Sequence, residues 1–418
     1  MDQAPFHRQV PNGSPPMKSS FWSAGHRPTL IASFLYFDLA FMVWVLLGPL
    51  GPNIATDLGL TPAQKGLMVA TPTLAGAILR VVNGLLVDRI GPKRSGAISQ
   101  LIVIFGLLSA YMLGVHSFAG TLVLGVILGF AGASFAIALP LASRWYSGEH
   151  QGKAMGIAGM GNSGTVIASL FAPTLAKMFG WNAVLGLAVI PLSIVFVLYM
   201  AMAKDAPGQP APKKFVEYLE PLRQADAWWF MLFYAVTFGG FVGLAASLSI
   251  YFVDQFALTP VTAGYCTAAC VFAGSLIRPV GGALADRIGG IKTLSFVYVV
   301  AAAALVGVST GPTHLAAALG MFVVAMLALG TGNGAVFQLV PQRFRAEIGV
   351  MTGLVGFAGG IGGFYLASSL GFAKQMTGVY QSGFLIFAGF AIVALVGLTM
   401  VKRKWRTTWG AAIQGVRI

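Results

Sequence analysis

AGAILRVVNGLLVDRIG (75–91) and AGSLIRPVGGALADRIG (273–289) are two copies of one segment, set 198 residues apart. Gly76, Gly84, Asp88, Arg89 and Gly91 of the first have identical partners at Gly274, Gly282, Asp286, Arg287 and Gly289 of the second. Each copy reads as an apolar helix with one arginine inside it, Arg80 and Arg278. A guanidinium within hydrocarbon costs about 2.5 to 3.5 kcal/mol on insertion scales. Two of them at equivalent positions point to an anion pathway in a duplicated membrane bundle.

The rest of the chain agrees with a membrane. Of its 418 residues 57% are hydrophobic and 9% charged, with 54 glycines and a mean hydropathy of +0.80, outside the range of soluble domains of this size. Apolar runs near the 20 residues that cross a bilayer core recur at 30–50, 66–87, 96–115, 120–141, 154–176, 183–203, 228–251, 262–285, 293–310, 315–338, 349–371 and 380–401. The expected fold class is therefore an all-α membrane protein of twelve transmembrane helices in two pseudo-symmetric halves. The net charge of +14 is a matter of topology rather than of nucleic acid. Apart from Arg80 and Arg278, only Lys65, Lys177 and Lys374 fall outside the even-numbered loops and the tails. The positive-inside rule then puts both termini in the cytoplasm of a multi-pass inner-membrane protein.

Residues 1–28 are polar and proline-rich without an apolar core, and read as a disordered cytoplasmic tail. The sharpest break between spans is 204–227, whose proline-rich start and charged second part suit a cytoplasmic linker. It separates a six-helix half at 29–203 from another at 228–402, with a basic tail at 403–418. The repeat offset sets Tyr36 against Tyr234 and Pro140 roughly against Pro341. Cys266 and Cys270 stand four apart on one helix and read as small-residue packing, with no metal or disulfide. No nucleophile and base constellation, nucleotide loop or metal ligand set is present, so neither an enzyme nor a cofactor is expected.

A parallel repeat of six-helix halves is the architecture of the major facilitator fold, which binds substrate near the midplane between the halves. GLLVDRIGPKR (84–94) resembles that superfamily's loop 2-3 signature, and GALADRIGGIK (282–292) repeats it. Asp88, Arg89, Asp286 and Arg287 suit a latch between helix ends that breaks as a carrier opens. Ordinary topology with a helix cap is the alternative. Arg80 and Arg278 each precede that acid by eight residues, about 12 Å along a helix. The two guanidiniums would face each other across a central cavity, repelling when empty and bridged when an anion lies between them.

GIAGMGNSGTVIASLFAP (156–173) and GLVGFAGGIGGF (353–364) add glycine runs on spans 5 and 11. Gly156, Gly159, Gly161, Gly164, Gly353, Gly356, Gly359 and Gly360 would let helices approach and slide. Packing does not explain Asn162 inside the first run, nor GTGNGAVFQLVP (330–341) of span 10. With FLYFDLAFMVWVLLGPLGP of span 1 and LRVVNGLLVDRIGPKR, these stretches resemble the nitrate/nitrite porter family, the NarK/NasA-like branch of the major facilitator superfamily, over nearly the whole chain.

The resemblance implies a carrier for nitrate and nitrite, functional as a monomer, with a planar monoanion gripped by Arg80 and Arg278. It further implies a sandwich by Phe135 and Phe238 and hydrogen bonds from Asn162 and Tyr234. Tyr234 and Phe238 are four apart and share a helix face. Asp38 is the one carboxylate well inside a span, and an intramembrane carboxylate is a functional candidate. As a proton site it would make the carrier a nitrate/proton symporter. It reads equally as a structural partner to a neighbouring helix or to Arg80. Nitrate/nitrite exchange, which needs no titratable group, and transport of another small anion are the alternatives.

Overall fold

The computed structural model describes residues 21–146, 148–207, 215–344 and 347–410, with backbone only for 148–153 and 215. Among them twelve helices are long and apolar enough to cross a membrane. Spans 1 to 6 are Arg27–Leu58, Pro62–Ile90, Pro92–Leu113, Phe118–Ser143, Ala154–Phe179 and Trp181–Met202. Spans 7 to 12 are Ala225–Phe256, Pro260–Ile288, Gly290–Ser309, Leu315–Arg343, Ile348–Thr377 and Gln381–Thr407. With an even number of spans, residue 27 and residue 407 end on one face of the bundle, called here the terminal face.

Each expected span has its helix, and several are lengthened by caps that hydropathy does not register. Thr61 caps span 2 by accepting from the amide of Gln64, whose side chain accepts from the Thr61 amide in return, satisfying two orphan donors. Span 8 starts on the equivalent Thr259, which accepts from Thr262 N.

Three boundaries need correction, the first being that residues 225–227, expected in the linker, begin span 7. Residues 27–28, expected in the tail, begin span 1. Residues 403–407, expected in the basic tail, finish span 12, because Trp405 is fully buried. Its indole stacks on Phe230 at 4.8 Å and donates to Asp226 Oδ1 at 2.8 Å. Of the remaining tail and linker expectations, residues 1–20, 208–214 and 411–418 lie outside the described residues. The described part of the linker holds a short helix, Phe215–Leu219, followed by a 3-10 turn, Glu220–Arg223.

Three spans of the first half are broken. Span 1 stops at Trp44 and restarts at Leu47, where Pro49 and Pro52 cannot donate to the preceding turn. Span 4 is interrupted between Gly132 and Phe135. Span 5 passes through a 3-10 segment at Met160–Ser163, a geometry often found at hinges and functional sites. Their counterparts in the second half, spans 7, 10 and 11, are continuous helices.

The halves meet along spans 2 and 11, 1 and 7, and 5 and 8. On the face opposite the termini they touch backbone to backbone. A Cβ on Gly66 would lie 2.8 Å from Gly371 Cα, and one on Gly48 would lie 2.7 Å from Ala246 O. Lys65 Nζ reaches Asp254 at 3.2 Å, Tyr380 donates to the same carboxylate at 2.7 Å, and Ala63 N donates to Gln375 at 3.0 Å. At the terminal face spans 2 and 11 are instead parted by Tyr218 of the linker. Its buried ring meets Gly84 on one side and lies 3.6 Å from a Cβ on Gly353 on the other.

Candidate functional site

Arg80 is 1% exposed, and rings surround it. Its Cζ stands 5.2 Å from the Trp44 ring, 5.5 Å from Phe135 and 5.1 Å from Phe238. Aromatic faces attract a desolvated guanidinium by about 2 kcal/mol or more, which offsets part of the cost of its burial. Backbone carbonyls supply the rest. At the break in span 4 the amide of Ala136 turns to Ala133 O at 3.0 Å, and the carbonyl of Gly132 accepts from Arg80 Nε at 3.1 Å. Across the interface between halves, Gly356 O of span 11 accepts from Arg80 Nη1 at 2.6 Å. Nη2 is buried with no partner.

Arg278 is less enclosed. It is half-buried, and its Cζ lies 5.9 Å from Phe135 and 5.8 Å from Phe337. Nη2 donates a long bond of 3.4 Å to Tyr234 Oη, and Nη1 is buried without a partner. Phe135 thus stands beside both cations, which therefore face one slot, close enough to feel each other's charge. Tyr234 and Phe238 stack at 4.9 Å and 4°, as their spacing of four anticipates, and Phe337 closes edge-on against Tyr234 at 5.0 Å.

Asn162 sits in the 3-10 segment of span 5, 1% exposed, with neither amide atom of its side chain hydrogen-bonded. Asn333 of span 10 is fully buried with the same two atoms unpartnered. An amide buried without partners costs several kcal/mol. Among the described residues, buried N–H groups without partners thus occur on Arg80, Arg278, Asn162 and Asn333.

Asp38 is buried but is not paired with Arg80. Its carboxylate accepts from Ser163 Oγ at 2.7 Å, fastening span 1 to the irregular turn of span 5. Gly161 and Gly164 make that approach possible: a Cβ on Gly161 would lie 2.7 Å from Asp38 N, and one on Gly164 would collide with Asp38 O. Gly359 and Gly360 do the same in span 11, against Tyr234 and Phe238 at 2.8 Å and against Ala77 at 2.6 Å. Gly353 and Gly356 face Tyr218 and Arg80 at ordinary contact distance. Gly156 and Gly159 were expected to pack likewise; among the described residues a Cβ would meet nothing within 4 Å at Gly156 and only Leu139, at 3.9 Å, at Gly159.

Of the four residues expected in a latch, Asp88 pairs with a residue outside the motif. Asp88 accepts from Arg144 Nη2 at 2.9 Å, tying span 2 to the end of span 4, while Arg89 is exposed. In the second half Arg343, which ends span 10 as Arg144 follows span 4, is taken by Asp226 at 2.6 Å. Asp286 and Arg287 are exposed. Burial beside Asp88 pushes the Tyr218 hydroxyl up to about 12, with Arg144 opposing the shift. Sequence reasoning passed over Trp44, Phe337, Arg144 and the carbonyls of Gly132 and Gly356. Trp44 and Phe337 lie within the stretches quoted above and Arg144 is a basic residue just after span 4, but backbone carbonyls carry no signal.

Comparison with known proteins gives the same frame. Residues 32–367 match the Major Facilitator Superfamily. The "Nitrite extrusion protein" of Bacillus subtilis (strain 168) is 31% identical over 85% of this chain and 89% of its own length. The "Probable nitrate/nitrite antiporter NarK1" of Thermus thermophilus is 30% identical over 89% of this chain and 90% of its own. Among solved structures, a bacterial homolog of the human lysosomal transporter Spinster superposes with a TM-score of 0.68 at 18% identity. It covers 94% of this chain and 98% of that one, a likeness of fold alone.

Proposed function

The chain belongs to the Major Facilitator Superfamily and to its nitrate/nitrite porter family, and on that premise we propose that it carries nitrate and nitrite between Arg80 and Arg278 by alternating access. The observation that carries the reading is the pair of guanidiniums, one from each half, each with a buried N–H group lacking a partner among the described residues and each beside the shared ring of Phe135. A flat anion with three acceptor oxygens matches two guanidinium edges and the amides of Asn162 and Asn333, and ring faces disfavour a tetrahedral anion. The basic loops identify the terminal face as cytoplasmic.

For coupling, the arrangement favours exchange of nitrate for nitrite over proton symport through Asp38. Arg80 donates to Gly356 O across the interface, which ties span 11 to span 2, and an anion that competes for this guanidinium would loosen the tie. Reorientation that depends on an anion at Arg80 makes exchange the fast path. The carboxylate of Asp38 is occupied by Ser163 and lies outside the arginine cage. Symport through Asp38 remains the second reading, favoured by its burial within a span.

The test is nitrate uptake into proteoliposomes, with nitrite inside or with an imposed pH gradient. Flux that follows internal nitrite, persists in Asp38→Asn and is lost in Arg80→Lys and Arg278→Lys is the expected result. Undiminished flux in both lysine variants, or no nitrate flux in the wild type under any gradient, overturns the site. Flux that follows the pH gradient and disappears in Asp38→Asn gives symport.

A further inference from the structure

The residue in closest register with Arg80 that neither the motifs nor the family pattern assigned is Trp44. It is the last residue of the first helical piece of span 1, immediately before the break at Val45 and Leu46, and it is 1% exposed. Its indole N–H is committed: Nε1 donates to Pro72 O of span 2 at 2.7 Å. The ring therefore offers its neighbours only a face. Arg80 Cζ lies 5.2 Å from that face. Gly76 and Gly132 leave the room it occupies, since a Cβ on Gly76 would be 3.0 Å from Nε1 and one on Gly132 would overlap it.

Pro72 and Gly76 precede Arg80 by eight and four residues on a helix running from the opposite face toward the terminal face, so they stand roughly 12 and 6 Å nearer the opposite face. The indole consequently covers the guanidinium from that side. It meets Phe238 of the second half nearly parallel, at 6.4 Å and 16°. The pair bridges the two halves directly above the cation. Beyond it, the second piece of span 1 packs against span 7 at Gly48 and Ala246.

We propose that Trp44 is a positioning residue of the anion site, which holds the Arg80 guanidinium beneath its indole and closes the slot toward the opposite face against Phe238. This rests on the reading of Arg80 as an anion ligand. A large flat ring pinned through its N–H fixes the plane in which the guanidinium lies, and hence the plane in which a trigonal anion is gripped. Phenylalanine keeps a ring but loses the pin. Leucine loses both.

Nitrate uptake and nitrate-dependent thermal stabilisation of the detergent-solubilised protein are measured for wild type, Trp44→Phe and Trp44→Leu. The expected result is a nitrate KM and dissociation constant raised about tenfold or more in Trp44→Leu, with maximal rate per folded protein within about twofold. Trp44→Phe is expected to lie between the two. A residue that only packs would lower the thermal midpoint and the yield while leaving KM and dissociation constant unchanged in both variants, and that result overturns the proposal alone. A wild type that neither moves nor binds nitrate overturns the anion reading together with it. The two failures are told apart by the wild type.

Discussion

The two halves share a fold and differ in how straight their helices are. Spans 1, 4 and 5 are interrupted beside Trp44, Phe135 and Asn162, whereas spans 7, 10 and 11 carry Tyr234, Phe238, Asn333 and Phe337 on unbroken helix. A break releases backbone groups from their own ladder, and Arg80 uses one of them, the carbonyl of Gly132. Arg278 has no equivalent bond and leans on Tyr234 at 3.4 Å. The duplicated arginine thus sits in a fully buried cage with two backbone acceptors in one half and in a looser, half-buried setting in the other.

The inequality is broken most directly by charge-conserving substitution. Lysine at position 80 gathers its donors on one nitrogen and loses the planar fork whose separate Nε and Nη1 reach Gly132 O and Gly356 O. Arg80→Lys is therefore expected to lower nitrate kcat/KM by more than 100-fold. Arg278→Lys loses one long bond and a bidentate edge, for an expected loss nearer tenfold. Equal losses in a proteoliposome assay would mean that the cage around Arg80 is incidental to function.

Next in size are the glycines that let broken span 5 approach span 1. Gly164→Ala drives a methyl into Asp38 O, and overpacking of this kind costs about 1 to 3 kcal/mol. Its thermal midpoint should fall clearly, whereas Gly156→Ala, with open space around it, should match the wild type in both midpoint and uptake. A Gly164→Ala protein as stable as wild type would show that the turn at Met160–Ser163 yields more readily than its contacts suggest.

The spans themselves were legible because membrane helices are selected for length and apolarity, and both are written residue by residue. The arginines were legible because the segment around them occurs twice. Less was legible where the backbone does the binding. Gly132 and Gly356 act through carbonyl oxygens, and no side-chain pattern marks which carbonyl a broken helix will free. Asp38 was visible as a buried carboxylate, but its partner Ser163 is 125 residues away, and only the fold says that the acid faces span 5 rather than Arg80. The linker shows the same limit: its charged residues foretold a surface segment, while the buried residue that docks it, Tyr218, is an unremarkable aromatic between two acids.

The helix-end latch sharpens the comparison further. Asp88→Asn removes the charge paired with Arg144 in a partly exposed pair, which is worth about 1 kcal/mol or less. A change in uptake rate of a few-fold is expected. Asp286→Asn, at an exposed position, is expected to change nothing measurable, although it sits in the same motif. Equal effects would mean that the motif acts alike in both halves despite the different exposure of the two acids.

The smallest effect concerns Tyr218, the linker residue that parts spans 2 and 11 at the terminal face. Its hydroxyl is raised from 10.0 to about 12 by burial beside Asp88. A phenol whose folded value lies above its unfolded value contributes stability that is complete below the unfolded value. That contribution is lost as pH rises through the folded value, so docking of the linker should hold up to about pH 10 and loosen between there and about pH 12. Phenolate absorbance of wild type minus Tyr218→Phe reads the titration directly, and limited proteolysis of the linker reads the docking. In the range where transport is measured the hydroxyl stays neutral. Tyr218→Phe is therefore expected to alter uptake by less than about twofold between pH 6 and pH 9, since the ring that separates Gly84 from Gly353 is retained. Tyr218→Ala removes that ring and should let the two helix ends close. A difference between the alanine and phenylalanine variants then isolates the wedge from the hydroxyl, and its absence would mean that the asymmetry between the two faces is held elsewhere.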